Sequence, residues 1–284
     1  MNNKNVRLAD GRNLSFAEYG PETGKAVIAF HCIPGSRLEQ VGDSALLTAL
    51  NIRLVVVDRP GYGHSDFQEH RTLLDWPDDI SQLADALSLD RFSILGFSGG
   101  GAHAAACAFR IPQRLNHVAL IGSTAPFDAP EVLDDMLPAN RDLFELAAAD
   151  YRQIEQQLAP VATTPEAVLG LLEAPAPAPD KAIFAGEPFR SMYIANLAES
   201  IRQGLKGFAY DMSLIARPWG FDVREIKAKV SLWHGGKDIN TPLAMGRYLA
   251  DTIPQCQAHF LPDEGHWLMF AHGKEILQSL AGES

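Results

Sequence analysis

The sequence predicts an α/β fold in which helices cover both faces of a mostly parallel, eight-stranded sheet and a helical segment interrupts the core. Three observations indicate this class. Apolar runs that read as buried strands alternate with stretches whose apolar residues have helical spacing. Residues 92–101, Phe-Ser-Ile-Leu-Gly-Phe-Ser-Gly-Gly-Gly, read as a buried strand, a tight turn and the start of a helix. From residue 125 to residue 219, strand patterns disappear.

The first half of the chain contains six predicted strands. Residues 6–19 alternate apolar and polar side chains around Gly11-Arg12-Asn13, which predicts an antiparallel pair at a sheet edge. Continuous apolar runs predict four further strands at residues 26–30, 54–57, 92–97 and 118–122. Helical spacing predicts helices around two groups of apolar residues, Leu46, Leu47 and Leu50 in one and Ile80, Leu83 and Leu87 in the other.

The second half begins with the segment 125–219, which is rich in alanine, leucine and acidic residues and reads as helical. Within it, the alternate prolines of residues 173–180 predict an extended connector that lets part of the segment move. Strands at 230–233 and 258–261 and helices at 242–253 and 268–280 then follow. The chain therefore divides into a core, residues 1–124 and 220–284, and a helical insertion, residues 125–219, after the sixth strand. We expect this insertion to lie over the carboxyl ends of the strands, where open α/β sheets bind ligands.

Composition narrows the function. The formal net charge is −11, which argues against a nucleic-acid partner because such binding depends on a basic face that neutralises phosphates. The polar amino terminus does not read as a signal peptide, and no apolar run approaches the ~20 residues that span a bilayer. Three widely spaced cysteines, Cys32, Cys107 and Cys256, suit a reducing compartment and cannot form a thiolate-rich zinc site. We expect a cytoplasmic protein that acts on a small molecule without a metal, a cofactor, a nucleic acid or a membrane.

The turn at Gly96-Phe97-Ser98-Gly99-Gly100 has the pattern of a nucleophile elbow. The serine at its apex adopts a strained backbone conformation, and Gly96 and Gly100 let the strand and the helix approach closely. A phosphate-binding glycine loop is the alternative. The sequence lacks the Gly-x-Gly-x-x-Gly register, the acidic residue about 20 positions later and the Gly-Lys-Ser/Thr that this alternative requires.

A serine hydroxyl becomes a nucleophile when a base takes its proton and a third group orients the base. Ser98 ends a central strand, Asp238 follows the next strand of the core, and His266 follows the last strand. All three therefore fall at one edge of the predicted sheet. Asp128, which follows the preceding strand, is the alternative acid.

With these residues in this order, the sequence resembles the α/β-hydrolase-fold serine hydrolases that carry a helical cap. The resemblance rests on the elbow, on Asp238 and on three further stretches: His31-Cys32-Ile33-Pro34-Gly35, the loop 58–65 and Gly265-His266. It implies that Ser98 attacks a carbonyl carbon, that His266 transfers the proton and that Asp238 orients the imidazole. It also implies an oxyanion hole formed by the backbone N–H groups of Gly99 and Ile33.

The resemblance covers the core, while the insertion matches only in position and helical character. Cys32 stands where this family usually has glycine, and we expect its side chain to fill a small buried space. Phe97 and Trp267, beside two catalytic residues, and Trp219, at the end of the insertion, are predicted to line the substrate pocket. The many large apolar side chains of the insertion favour an uncharged or apolar acyl group.

The expected function is therefore that of a cofactor-independent serine hydrolase that cleaves a small carboxylic ester through an acyl-enzyme. Lactones, thioesters and carbon–carbon bonds stay open as substrates because the same three residues can cleave them. A peptidase similar to the proline iminopeptidases is a further alternative. So is a non-catalytic protein that binds a small ligand on the same scaffold.

Overall fold

An eight-stranded β-sheet forms the centre of the protein in a computed structural model, which describes residues 3–282. The strand order is β1-β2-β4-β3-β5-β6-β7-β8. β1 pairs antiparallel with β2 at one edge, β2 pairs antiparallel with β4, and all other pairs are parallel. This confirms the predicted fold class. The strands are β1 Lys4–Arg7, β2 Asn13–Tyr19, β3 Lys25–Phe30, β4 Ile52–Val57, β5 Phe92–Phe97, β6 Leu115–Ile121, β7 Val230–Gly235 and β8 Cys256–Leu261.

The central strands are mostly apolar because both faces of the sheet are covered. Every residue of β4 and of β5 is buried. Successive side chains point to opposite faces, so Val55 and Val57 pack in one apolar layer whereas Leu54 and Val56 pack in the other. A continuous apolar run in the sequence therefore reports two-sided burial.

Helices of the core pack on both faces of the sheet. Those that precede β6 are α1 Ser44–Ala49, α2 Trp76–Ala86 and α3 Gly99–Arg110, and those that follow β7 are α9 Leu243–Thr252, α10 Leu268–Ala271 and α11 Gly273–Ala281. Ile80 and Leu83 of α2 lie in one layer, and Leu277 of α11 lies in the other. The single closing helix predicted at 268–280 is wrong, because His272 has φ −111° and ψ 23° and separates α10 from α11.

Five helices lie between β6 and β7: α4 Pro138–Leu158, α5 Pro165–Glu173, α6 Ala178–Ala185, α7 Phe189–Ser200 and α8 Lys206–Ala216. We call these helices and the loops between them, residues 138–216, the helical segment. The predicted connector is too long. Glu173 still belongs to α5, and Pro179 lies in the first turn of α6, so only residues 174–177 are non-helical. A first-turn proline is compatible with a helix because N–H groups there have no partner within the helix. The division at residues 125 and 219 stays a prediction.

A buried ion cluster joins the helical segment to the core. Asp211, on α8, accepts hydrogen bonds from Arg59 Nε at 2.7 Å and from Arg71 Nη2 at 2.6 Å. Arg59 is fully buried and also donates to the carbonyl oxygens of His31 and Cys32. Burial alone would raise the pKa of Asp211, but the two guanidinium charges hold it well below its usual range. The loop after β3 is thereby tied to α8. Within residues 3–282, no helix is both long and apolar enough to cross a bilayer.

Removing the charge of Asp211 should destabilise the protein strongly. We expect Asp211→Asn to lower the free energy of unfolding by about 3–5 kcal/mol, because it leaves two buried guanidinium groups without a counter-charge. Urea unfolding followed by circular dichroism measures this change. Asp222→Asn is the control, since Asp222 pairs with the exposed Arg224 and its loss should leave the midpoint unchanged. Equal stability of Asp211→Asn and the wild type would contradict the expectation.

Candidate active site

The turn between β5 and α3 holds Ser98 in a conformation that is unusual for a residue with a side chain. Its φ is 55° and its ψ is −122°, a strained combination that costs about 1–3 kcal/mol. A Cβ atom at Gly96 would lie 2.6 Å from Cβ of Ala104, and one at Gly100 would overlap the Phe30 carbonyl oxygen. Glycine is therefore required at both positions, which confirms the close approach that the sequence predicts.

Ser98, His266 and Asp238 meet at the carboxyl ends of the parallel strands. Ser98 Oγ lies 2.9 Å from His266 Nε2, and His266 Nδ1 lies 2.7 Å from Asp238 Oδ2. All three side chains are buried. Because an ionised carboxylate only accepts hydrogen bonds, Nδ1 carries the proton and Nε2 is free to accept from the serine hydroxyl. The arrangement can deprotonate Ser98.

The carboxylate of Asp238 is fixed by the loop that follows β7. Its Oδ1 accepts from the backbone N–H groups of Asn240 and Thr241, each at 2.9 Å, and its Oδ2 accepts from Thr241 Oγ1 at 2.7 Å. Sequence reasoning missed Thr241. No local motif identifies it, since its role depends on the turn that brings it back to Asp238.

Burial and charge act in opposite directions on this pair. Burial would lower the pKa of His266, but the charge and the hydrogen bond of Asp238 raise it above its usual value. Burial would raise the pKa of Asp238, but the charge and the hydrogen bond of His266 lower it below its usual value. Asp128, the alternative acid, is exposed on a surface cleft that it shares with Asp222 and Tyr248. The geometry therefore favours Asp238 as the acid.

The two candidate oxyanion donors lie next to each other. A Cβ atom at Gly99 would overlap the Ile33 side chain, with Cγ1 at 2.7 Å. Both residues line the same cavity as Ser98. Across residues 3–282, neither the Gly99 nor the Ile33 backbone N–H donates a hydrogen bond to another protein group. These N–H groups are available to a ligand oxygen.

Cys32 has a partner that the sequence did not reveal. Its thiol donates to Glu39 Oε2 at 2.8 Å, and its backbone N–H donates to Glu39 Oε1 at 2.8 Å. Both side chains are buried, and burial raises the pKa of the Cys32 thiol and raises that of Glu39 to about 7. The thiol therefore stays protonated at neutral pH. Glu39 is one of 35 acidic residues and belongs to no motif, so only the folded loop identifies it.

A cavity of about 390 Å³ borders Ser98 and His266. Trp267 lines it, as expected. Most of its walls are apolar side chains of the helical segment, among them Leu143, Phe144, Val168, Leu172, Leu205 and Met212. In the described part of the chain, its lining contains no lysine, arginine, aspartate or glutamate. No three His, Cys, Asp or Glu side chains of residues 3–282 cluster as metal ligands would.

Two of the predicted pocket residues do not line this cavity. Phe97 is fully buried behind His266, with ring centroids 5.1 Å apart, because its side chain points into the core layer below the turn. Trp219 is also buried, and its indole Nε1 donates to the Ile215 carbonyl oxygen at 3.1 Å. Phe97 therefore supports the imidazole from behind, and Trp219 packs in the opposite core layer.

Residues 25–272 match the family model that is described as the alpha/beta hydrolase fold. The chain belongs to this family. Among curated proteins, this alpha/beta hydrolase is similar to 2-hydroxy-6-oxo-2,4-heptadienoate hydrolase of Pseudomonas putida. The two are 25% identical over 238 residues, which cover 80% of this chain and 76% of the relative.

Solved structures share the fold over the whole chain. The esterase RhEst1 from Rhodococcus sp. ECU1013 superposes with a TM-score of 0.71 at 20% identity, covering 99% of this chain and 100% of that one. The enol-lactonase from Burkholderia xenovorans LB400 gives 0.72 at 19% identity and covers 99% of each chain. At such identities the likeness concerns the fold, so the choice of substrate rests on the residues of this alpha/beta hydrolase.

The strain at Ser98 makes a stability prediction. Glycine tolerates positive φ, so Ser98→Gly should unfold at a higher urea concentration than Ser98→Ala, by about 1 kcal/mol in free energy. Both variants lack the hydroxyl and its hydrogen bond to His266, so their difference isolates the backbone. The same pair of substitutions at Ser81, inside α2, is the control and should show the reverse order. Greater stability of Ser98→Ala would refute the assignment of strain.

Proposed function

We propose that this alpha/beta hydrolase cleaves an uncharged, mainly apolar carboxylic ester through an acyl-enzyme. The hydrogen-bonded chain from Ser98 through His266 to Asp238, at the wall of an apolar cavity, carries the proposal. Ser98 and His266 are the nucleophile and the general base, and Asp238 is the orienting acid. Gly99 and Ile33 are the oxyanion donors.

The proposed reaction has two halves. Ser98 Oγ attacks the ester carbonyl carbon while its proton moves to His266 Nε2, and Asp238 stabilises the resulting imidazolium. The N–H groups of Gly99 and Ile33 bind the negative oxygen, and His266 returns the proton to the departing alcohol. In the second half a water molecule attacks the acyl carbon while His266 takes its proton. The bond from the acyl carbon to Ser98 Oγ then breaks, and His266 returns the proton to Ser98. Cys32 and Glu39, on the loop after β3, take no part in this proton transfer.

The charge of the cavity favours a neutral substrate. A buried carboxylate without a partner is costly, and the lining that residues 3–282 provide offers no lysine or arginine to pair with it. The neutral polar groups along the wall include Thr124, Thr241 and the pair Asn140 and Asn240, which are joined by a hydrogen bond of 3.0 Å. Lactones and thioesters meet the same requirement, and an ester is the simplest member of the group.

A carbon–carbon hydrolase is the second candidate, because curated relatives at 25–27% identity are named as hydrolases of hydroxy-oxo-dienoates and related semialdehydes. The same three residues can serve such a reaction. A dienoate, however, carries a carboxylate. The uncharged lining therefore ranks this candidate second.

We also propose that residues 125–219 act as a cap on a cytoplasmic enzyme. The helical segment supplies most of the cavity wall, which supports the first statement. Cys32 and Cys107 are buried free thiols that are not in disulfide bonds. This suits a reducing compartment and supports the cytoplasmic location.

Activity on p-nitrophenyl esters of increasing acyl length tests the proposal. We expect wild-type turnover that falls about 10⁴-fold or more in Ser98→Ala and in His266→Ala, and less in Asp238→Asn. Glu264→Gln is the control beside the histidine loop and should keep full turnover. A fluorophosphonate probe should label Ser98 in the folded wild type.

The outcomes separate the alternatives. No labelling of Ser98 in folded protein would favour a non-catalytic binding protein. Cleavage of 2-hydroxy-6-oxo-2,4-heptadienoate with a kcat/KM above that of every neutral ester would favour the carbon–carbon hydrolase. Release of an amino-terminal residue from a peptide at such a rate would favour a peptidase.

The raised pKa of His266 predicts the pH dependence. Only the neutral imidazole accepts the serine proton, so kcat/KM for a neutral ester should rise with pH through a midpoint above 6.5, the ordinary histidine value. Asp238→Asn should move this midpoint to lower pH, because it removes the negative charge that favours the imidazolium. Glu39, whose pKa is about 7, titrates in the same range and also raises the pKa of His266, so Glu39→Gln is measured in parallel and should lower the midpoint less than Asp238→Asn does. A midpoint below 6.5 in the wild type would contradict the assignment.

A further inference from the structure

A carboxylate of the helical segment binds the backbone of the His266 loop. Asp180, in the first turn of α6, accepts the His266 N–H at Oδ2 and the Trp267 N–H at Oδ1, each at 3.0 Å. Its side chain is fully buried. One carboxylate therefore fixes two successive peptide groups at the position from which the imidazole reaches Ser98.

Gly265 provides independent evidence that the carboxylate and this loop are fitted to each other. A Cβ atom at Gly265 would overlap all three atoms of the Asp180 carboxylate group. The glycine before His266 is thus required by the approach of Asp180, and its φ is not in the left-handed region. Glycine is thus needed before His266 because of Asp180, which lies 85 positions before Gly265 in the chain.

The charge of Asp180 also bears on the imidazole. The ionisable groups near this part of the site include Asp238 on the loop after β7, Asp180 on α6, Glu39 on the loop after β3, and His234, whose Nε2 lies 3.8 Å from Asp238 Oδ2. Asp238 has the largest effect in raising the pKa of His266, and Asp180 and Glu39 act in the same direction. Burial raises the pKa of Asp180 itself, and its two N–H partners oppose that change.

We propose that Asp180 is a positioning residue of the active site, which holds the His266 loop so that the imidazole stays aligned with Ser98 and Asp238. The inference rests on the proposed function and extends it, because it makes the helical segment part of the catalytic geometry. An active site assembled by the core alone would lack this support. The Asp180 side chain itself touches the loop backbone and takes no proton.

Asp180→Asn tests this role, because the variant keeps the size of the side chain and one acceptor oxygen but places an NH₂ group against the second N–H. We expect kcat for a neutral p-nitrophenyl ester to fall about 10–10²-fold with KM within about twofold, since small displacements of a catalytic group have effects of this size. The midpoint of the acidic limb of kcat/KM should move to lower pH. The rate of Ser98 labelling by a fluorophosphonate should fall by a similar factor.

Glu166→Gln is the matched control, since Glu166 is an exposed carboxylate in the first turn of α5. It should change neither kcat nor the pH profile. Gly265→Ala is the second variant, because its methyl group would displace the Asp180 carboxylate without removing its charge. It should lower kcat as Asp180→Asn does, but leave the pH midpoint closer to that of the wild type.

The results distinguish the inference from the function on which it rests. Activity that survives in Ser98→Ala would refute the proposed function. Inactive Ser98→Ala together with wild-type kcat and labelling in folded Asp180→Asn would keep the function and overturn the role of Asp180. A lower unfolding midpoint of Asp180→Asn with unchanged kcat per folded molecule would likewise overturn it, because a purely structural contact acts on stability alone.

Discussion

The turn at Ser98 is the constraint on which the rest of the site depends. A serine with φ of 55° persists only where its surroundings over-determine it, and here the strand and the helix meet so closely that Gly96 and Gly100 admit no side chain. The same approach sets Gly99 against Ile33, so the serine and the two free N–H groups arrive together. The strained turn thus places the Ser98 hydroxyl and the proposed oxyanion donors, the N–H groups of Gly99 and Ile33, at the same cavity.

Local patterns carry the parts of the structure that the sequence could predict. A strand that is buried on both faces appears in the sequence as an apolar run, and the elbow requires glycine at fixed offsets. The sheet and the turn at Ser98 can therefore be predicted from the sequence. The spacing of Asp238 and His266 behind core strands places them at the same edge. The distances of 2.7 Å from His266 Nδ1 to Asp238 Oδ2 and 2.9 Å from His266 Nε2 to Ser98 Oγ depend on the fold.

Residues whose roles depend on tertiary contacts could not be predicted in this way. Asp180 and Glu39 lie in no motif, and both bind backbone N–H groups, which every residue except proline possesses. Sequence reasoning predicts Phe97 and Trp219 in the pocket because they are large and near the site, yet the size of a side chain does not determine which way it points. The predicted connector at residues 173–180 is too long for a simpler reason. A proline in the first turn of a helix cannot be distinguished in the sequence from a proline outside the helix.

The helical segment combines firm attachment with an opening. Asp180, Asn196 and Asp211 tie α6, α7 and α8 to the histidine loop, to Ser36 on the loop after β3, and to Arg59. Each contact is buried, so separating these helices from the core would expose unpaired charges and N–H groups. Leu171, on α5, lines the cavity and is 49% exposed, so the cavity reaches the surface there. The exposed part of the cavity wall on α5 is thus separate from the α6 contacts that hold the His266 backbone in place.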